Sequence, residues 1–370
     1  MKPLILSNNT GGGHNSAAKA IREQLMLAGY ECRIMDGLAF ASENVSKFIC
    51  KTYERITINV PAVFGAFYKA SAKTSNPKMR SISYMANTAY AYKLYKYLRD
   101  NEIDTVITSH IFAAECLTHI RKHYDHYFKF YLVVTDYDRL PFAEETSCDA
   151  IFIPHEALIP EYTLRGIKED RLLASGIPTA LKFSIKTPQE EARKVLNLAQ
   201  EVPQILIMTG SMGNGNAGEM IKLLRNRSAD SCITVMGGNN ERLKADLRAR
   251  FAGDQHVRIL DFTSNAELYM DACDVLLTKP GGLTSTEAAV KNIPLVHTDP
   301  IPGCESGNLQ FFTSFGLSVT GKNRSETADK AIALLMNREM RERMKEAQRL
   351  NINPHAAADI VRYVIDNDKR

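Results

Sequence analysis

Short apolar runs that end in polar or glycine-rich turns recur along this chain, each leading into a segment of helical spacing. That alternation constrains the fold more than any other feature. "PLILSN" reads as a buried strand, and Ala17, Ala20, Ile21 and Leu25 behind it repeat at helical spacing until "AGY" closes the helix. "ECRIMD", "DTVITSH", "KFYLVVTDY" and "AIFIP" follow as strands, with a helix around Ala113–Lys122. The proline-punctuated stretch "ASGIPTALKFSIKTP" lacks periodicity and reads as a linker. The alternation then restarts, with "QILIMTGS", "CITVMGG", "VRILDF", "DVLLTKPGG" and "IPLVHTDP" as strands between helices. Such a pattern demands a parallel sheet covered on both faces. The chain of 370 residues also exceeds what one core supports. The reading is an α/β protein of two Rossmann-like, doubly wound domains, residues 1–178 and 187–350, facing across a cleft. A terminal helix within 351–370 packs back on the first domain.

Composition narrows the class. The seven cysteines form no C-x-x-C pair, which argues against a disulfide framework or zinc knuckle and for a reducing, cytoplasmic compartment. No window of eighteen apolar residues is present, and the start reads neither as a signal h-region nor as a transit segment. The net charge of +4 is concentrated. From Val45 to Arg99 ten Lys and Arg residues face a single acid, Glu54, with aromatics interleaved. That composition suits an anionic membrane surface, with Lys69, Lys73, Lys78 and Arg80 as its contacts. The plainer reading is a pair of helices with aromatic core and solvated lysines.

Four motifs carry chemistry. Thr10-Gly11-Gly12-Gly13-His14 runs from a strand into a helix, where backbone N–H groups and the helix dipole suit an anion or a developing oxyanion. It matches neither G-x-x-x-x-G-K-[S/T] nor G-x-G-x-x-G. His14, titrating near neutrality, can take a proton from a hydroxyl. Gly210-Ser211-Met212-Gly213 offers a second loop of donors to a phosphate. "TKPGGLTSTEAA" is the most specific run. Thr284, Ser285 and Thr286 can cap the next helix and bind phosphate, and Glu287 in its first turn can hold a ribose diol. Glu305 and Asn308, three apart at a helix start, share a face and can hold sugar hydroxyls. Asp136-Tyr137-Asp138 matches a metal-binding D-x-D, which the duplicated α/β pattern argues against. His119, His123 and His126 lack the carboxylate of a zinc helix.

Together, Gly-Gly-Gly-His, "VVTD", "TKPGGLTSTEA" and "PIPGCESGN" resemble, in order and across nearly the whole chain, the diacylglycerol glycosyltransferases. That group (related to glycosyltransferase family 28) contains plant monogalactosyldiacylglycerol synthases and bacterial processive diacylglycerol glucosyltransferases. It is more distantly similar to the N-acetylglucosaminyltransferase that makes lipid II. The resemblance implies a GT-B fold and inverting transfer of a hexose from a UDP-sugar to a lipid hydroxyl, without metal or other cofactor. It places the catalytic base on His14, with Asp136 as second catalytic residue, and the ribose on Glu287. Glu305 and Asn308 read the donor sugar, and uracil lies near Phe262. Gly210 to Gly213 and Gly281, Gly282 and Thr284 hold the diphosphate, with Gly238, Lys279 and Ser285 also lining the donor site. The partners implied are a UDP-sugar, a lipid acceptor and an anionic membrane, not nucleic acid. The implied location is peripheral, on the inner face of the cell membrane. Two departures stand out. The histidine and tryptophan that follow "VTD" in lipid-using relatives are replaced by Tyr137 to Phe142 in a chain without tryptophan, and "PGQE" is Pro302-Gly303-Cys304-Glu305. The first bears on the acceptor, the second on the donor. The alternatives are a UDP-N-acetylglucosamine 2-epimerase-like enzyme, a glycosyltransferase with a non-lipid acceptor and a non-catalytic sensor.

Overall fold

The computed structural model describes residues 1–8, 12–60, 65, 80–125, 127–210 and 217–368, without the side chains of residues 53, 54, 57–59 and 304. The chain divides into two compact units. One comprises Met1–Leu181, Pro302–Cys304 and Asn353–Arg370; the other comprises Lys182–Ile301 and Glu305–Ile352.

In the first unit the described strands are β1 (Pro3–Ser7), β2 (Arg33–Asp36), β3 (Thr105–Thr108), β4 (Lys129–Val133), β5 (Ala150–Ile153) and β6 (Leu172–Ala174). They pair in parallel in the order β2-β1-β3-β4-β5-β6. The order reverses between β1 and β3, and a ligand crevice opens outside the carboxyl ends of strands at such a point. Side chains alternate across the sheet. Leu4, Leu6, Phe130, Leu132, Ile151 and Ile153 join one core with helices Ala91–Asp100 and Ile111–His123. Ile5, Tyr131, Val133 and Phe152 join the opposite core with helix Gly12–Leu27 and the final helix Ala356–Asp368. From that last helix Ile360, Val361 and Val364 are buried, each contributing about 1.5–3 kcal/mol.

Its attachment is polar as well. The Asn353 amide donates to the Ser175 carbonyl at 2.9 Å and to the Asp359 carboxylate at 2.8 Å. Gly176 holds φ +91°, and a Cβ there would stand 3.1 Å from Cβ of Ala356. The stretch expected to be a linker is therefore held on this unit at Ser175–Gly176, and again where the Leu181 N–H donates to Glu23 at 2.9 Å. In the second unit, Lys291 pairs with Asp271 at 2.6 Å and donates to the Ile185 carbonyl, while the Thr187 N–H donates to Asp271 at 3.1 Å.

The second unit's described strands are β7 (Gln204–Met208), β8 (Cys232–Met236), β9 (Val257–Leu260), β10 (Val275–Thr278) and β11 (Leu295–His297). Their parallel order is β11-β10-β7-β8-β9, so the reversal lies between β7 and β10.

The basic aromatic region divides by residue. Helices Glu43–Asn59 and Ile82–Thr88 belong to it, with Ala91–Asp100. Tyr84 and Tyr90 are core, whereas Phe48 is 71%, Ile82 88% and Met85 67% exposed. Arg80 is exposed, and its guanidinium lies 4.3 Å over the Tyr84 ring and donates to the Glu145 carbonyl, so its charge is held against the protein surface. Lys69, Lys73 and Lys78 lie outside the described residues. No helix among the described residues is long and apolar enough to cross a membrane.

Candidate functional site

At the reversal point of the first sheet the ends of β1, β3 and β4 converge on His14. Gly12 and Gly13 are the first two residues of helix Gly12–Leu27, not part of a loop before it, so their N–H groups form its open N-terminus. Thr10 and Gly11 lie outside the described residues. His14 sits in that first turn with Nδ1 3.1 Å from Oγ1 of Thr135, just beyond β4. The Ser109 hydroxyl, just beyond β3, donates to the His14 carbonyl at 3.2 Å. The His110 ring packs edge-on against His14 with centroids 4.8 Å apart. Burial pushes the His14 imidazole down to about 4, with a backbone hydrogen bond at Ser109 opposing the shift. The expectation of titration near neutrality is thereby corrected: this histidine is uncharged throughout the neutral range, the state a base requires.

The neighbour facing Nδ1 is Thr135 rather than Asp136. Ser109, His110 and Thr135 were missed from the sequence. Their signal was the polar residues closing "DTVITSH" and "KFYLVVTDY", which matter only once β3 is known to lie beside β1 and β4 beside β3. Where lipid-using relatives carry histidine and tryptophan, the loop closes on itself. Arg139 pairs with Glu144 at 3.6 Å, both side chains buried, and the Leu140 N–H donates to the Tyr162 hydroxyl at 3.0 Å.

At the second reversal point Gly210 follows β7 and Lys279 follows β10. Gly210 holds φ +76°, a geometry that favours glycine, and a Cβ there would stand 2.7 Å from Cε of Lys279, whose stem crosses the turn. Lys279 pairs with Oε1 of Glu305, whose Oε2 accepts the Ile301 N–H at 2.7 Å. Asn308 is fully buried, and its amide donates to the Pro280 carbonyl at 2.9 Å. Glu305 and Asn308 thus brace the Lys279–Pro280 turn from helix Cys304–Ser314. Helix Gly282–Val290 starts at Gly281 with no side-chain cap and no acid in its first turn. Its open N–H groups beside Lys279 make a cradle for an anion.

Three expectations are corrected here. Ser285 is fully buried and bonded to Nε2 of His297 at 2.9 Å, so it does not face a phosphate. The Thr286 hydroxyl donates to the Gly282 carbonyl at 2.7 Å within the helix. Glu287 is the sixth residue of that helix and stands in its second turn, not its first. Its carboxyl has no hydrogen bond or ion pair among the described residues. Burial pushes it up to about 8, with Lys182 lowering and Glu267 raising it.

Thr284 is partly exposed beside the open helix end. Gly238 turns the chain after β8 at φ +58°. Phe262, beyond β9, is 78% exposed and two strands from β7, about 10 Å away. Ser211, Met212 and Gly213 lie outside the described residues. No three His, Cys, Asp or Glu side chains gather as a metal site among the described residues.

Comparison with known proteins divides the chain as its sheets do. Residues 14–179 match the family model of monogalactosyldiacylglycerol (MGDG) synthase, and residues 189–351 that of glycosyl transferases group 1. The processive diacylglycerol beta-glucosyltransferase of Staphylococcus saprophyticus is 26% identical over 91% of this chain and 85% of its own. A probable chloroplastic monogalactosyldiacylglycerol synthase 3 of Oryza sativa is 26% identical over 98% of this chain and 73% of its own. Among solved structures, MurG of Acinetobacter baumannii superposes with a TM-score of 0.66 at 15% identity, covering 98% of this chain and 99% of its own. The UDP-GlcNAc 2-epimerase of Neisseria meningitidis reaches 0.63 at 14% identity, over 99% of this chain and 100% of its own. These two likenesses concern the fold.

Proposed function

We propose that the chain is a member of the monogalactosyldiacylglycerol synthase and processive diacylglycerol glucosyltransferase family of GT-B glycosyltransferases and that it transfers a hexose from a UDP-sugar to the hydroxyl of diacylglycerol with inversion. The observation that carries the reading is the pair of reversal points, one holding an uncharged imidazole and the other an open helix N-terminus beside a lysine. The acceptor and base are assigned to the first unit, the donor to the second.

His14 takes the acceptor proton as the oxygen attacks the anomeric carbon. Thr135 orients its ring, and the Ser109 backbone favours the charge the ring then gains. The leaving diphosphate meets the amides of Gly281, Gly282 and Thr284 and the Lys279 ammonium. Glu287 accepts from the ribose diol. Glu305 holds the lysine and borders the sugar, while the fully buried Asn308, expected to read the sugar as well, holds the turn instead. With charge stabilised by amides and an ammonium, transfer is expected to persist in chelator. The enzyme acts peripherally on the inner face of the cell membrane.

The test is a panel of radiolabelled UDP-hexoses with diacylglycerol in phosphatidylglycerol vesicles, with and without EDTA. Labelled glycolipid formed by the wild type and lost in His14→Ala, with UDP affinity kept, is the expected result. Release of an epimerised sugar without glycolipid would overturn the reading.

A further inference from the structure

We propose that His110 binds the acceptor, presenting an Nε2–H donor to the oxygen of the alcohol whose proton goes to His14. This rests on the reading of His14 as base. His110 is the N-cap of helix Ile111–His123, in extended backbone geometry, and its Nδ1 accepts the Phe112 N–H at 3.2 Å. A neutral imidazole carries one proton; with Nδ1 committed as acceptor, that proton is on Nε2. Burial, helped by nearby His14, holds His110 well below the ordinary histidine range, so the ring is neutral. The backbone has therefore chosen its tautomer.

The ring is also fixed in orientation. It is wedged between His14, edge-on at 4.8 Å, and Phe112, edge-on at 4.5 Å. Its Nε2 has no hydrogen-bond partner among the described residues. Serine, threonine, aspartate and asparagine are the ordinary N-caps. A histidine in their place adds a fixed N–H donor beside the base, at the reversal point where α/β sheets take ligands.

The donor defines the chemical class of acceptor. An alcohol oxygen has one proton to give and lone pairs to receive with. It can donate to His14 while accepting from His110, and the second bond fixes the rotation about its C–O bond. An ammonium, lacking a lone pair, would find His110 repulsive. His110 thus acts in binding and aligning an alcohol, and its loss should appear first in the acceptor KM.

The test compares His110→Ser, which keeps a capping oxygen and loses the donor, with His110→Asn, which keeps a cap and a shorter amide donor. Steady-state kinetics with diacylglycerol in mixed micelles, UDP calorimetry and thermal melting are the readouts. The expectation for His110→Ser is an acceptor KM raised about three- to tenfold, as for one lost neutral hydrogen bond. UDP affinity and melting should stay at wild-type values, with partial recovery of KM in His110→Asn. A wild-type acceptor KM in His110→Ser, or a change shared equally with UDP affinity and melting, would overturn the proposal. His14→Ala separates the two readings. If it keeps wild-type turnover, the base assignment falls, and a raised acceptor KM in His110→Ser still stands as binding alone.

Discussion

His14 and Glu287 are both held away from their ordinary titration ranges, and in opposite directions of charge economy: each is neutral at pH 7 in the free protein. For His14, burial to about 4 means that protonation removes the base only well below the ordinary histidine range. The acid limb of kcat/KM should fall near 4, not 6.5, and a limb at 6.5 that disappears in His14→Ala would contradict the burial. For Glu287 the native carboxyl holds its proton more tightly than an unfolded one, whose ordinary value is 4.5. Stability is therefore lost as pH rises from 4.5 toward 8, and Glu287→Gln should melt higher than wild type at pH 8 but not at pH 4. A ribose diol donating to this group favours the carboxylate, so UDP binding should release a proton. Affinity should then climb with pH, by at most about tenfold per unit, and level off above about 8. Calorimetry in buffers of different ionisation enthalpy reads that proton. Glu287→Gln should bind UDP at least about tenfold more weakly and lose the pH dependence. A variant that binds UDP as the wild type does would detach Glu287 from the ribose.

Among the elements, the strand-to-helix turns carry the site, and they were also what the sequence showed most clearly. Apolar runs such as "PLILS" and "QILIM" give way within two to four residues to glycine, as a chain that must turn from strand into helix at the sheet's carboxyl edge requires. That physics is local and leaves a local trace. Helix Gly282–Val290 was harder to read, because its residues are small and mostly buried, with no polar stripe to tell inside from outside. Ser285 and Thr286 looked like phosphate ligands, but the helical turn aims one at His297 and the other at its own backbone. The shifts at His14 and Glu287 left no trace, since they arise from elements distant in the chain. Thr135 approaches His14 from 121 positions away. The turn at Gly210 can be tested directly. Gly210→Ala should force a side chain into left-handed geometry, at about 1–2 kcal/mol, and drive a methyl into Lys279. UDP affinity should fall about tenfold, in line with that strain, while the rest of the second unit keeps its far-UV spectrum. Unchanged affinity would show that Lys279 shifts freely and is not placed for the diphosphate.

At the scale of the whole molecule, the question is how a chain with no membrane-crossing helix among its described residues reaches a lipid. Ten basic residues against one acid between Val45 and Arg99 supply a charge asymmetry that the net +4 conceals. The structure holds the exposed Arg80 against Tyr84 and the Glu145 carbonyl, removes Tyr84 and Tyr90 from the free aromatics, and leaves Phe48, Ile82 and Met85 in solvent. Attraction to an anionic bilayer should then have two separable parts. Each lysine near the surface contributes about 1 kcal/mol. Lys69→Glu, Lys73→Glu and Lys78→Glu together should release the protein from phosphatidylglycerol vesicles at low salt. High salt should do the same to the wild type, because charges separated by more than a Debye length are screened. The salt-resistant remainder should come from apolar burial at about 25 cal/mol per Å², and should shrink on Phe48→Ser or on Ile82→Ser with Met85→Ser. Arg80→Glu serves as the contrast. It removes a clamp on the Glu145 carbonyl and puts an acid beside the Glu145 carboxyl, so it should lower the melting temperature as well as vesicle binding. Cosedimentation at low and high salt reads all of these. Equal pelleting with neutral and anionic vesicles, or none with either, would return the basic stretch to a solvated helical face and make a soluble acceptor the better reading.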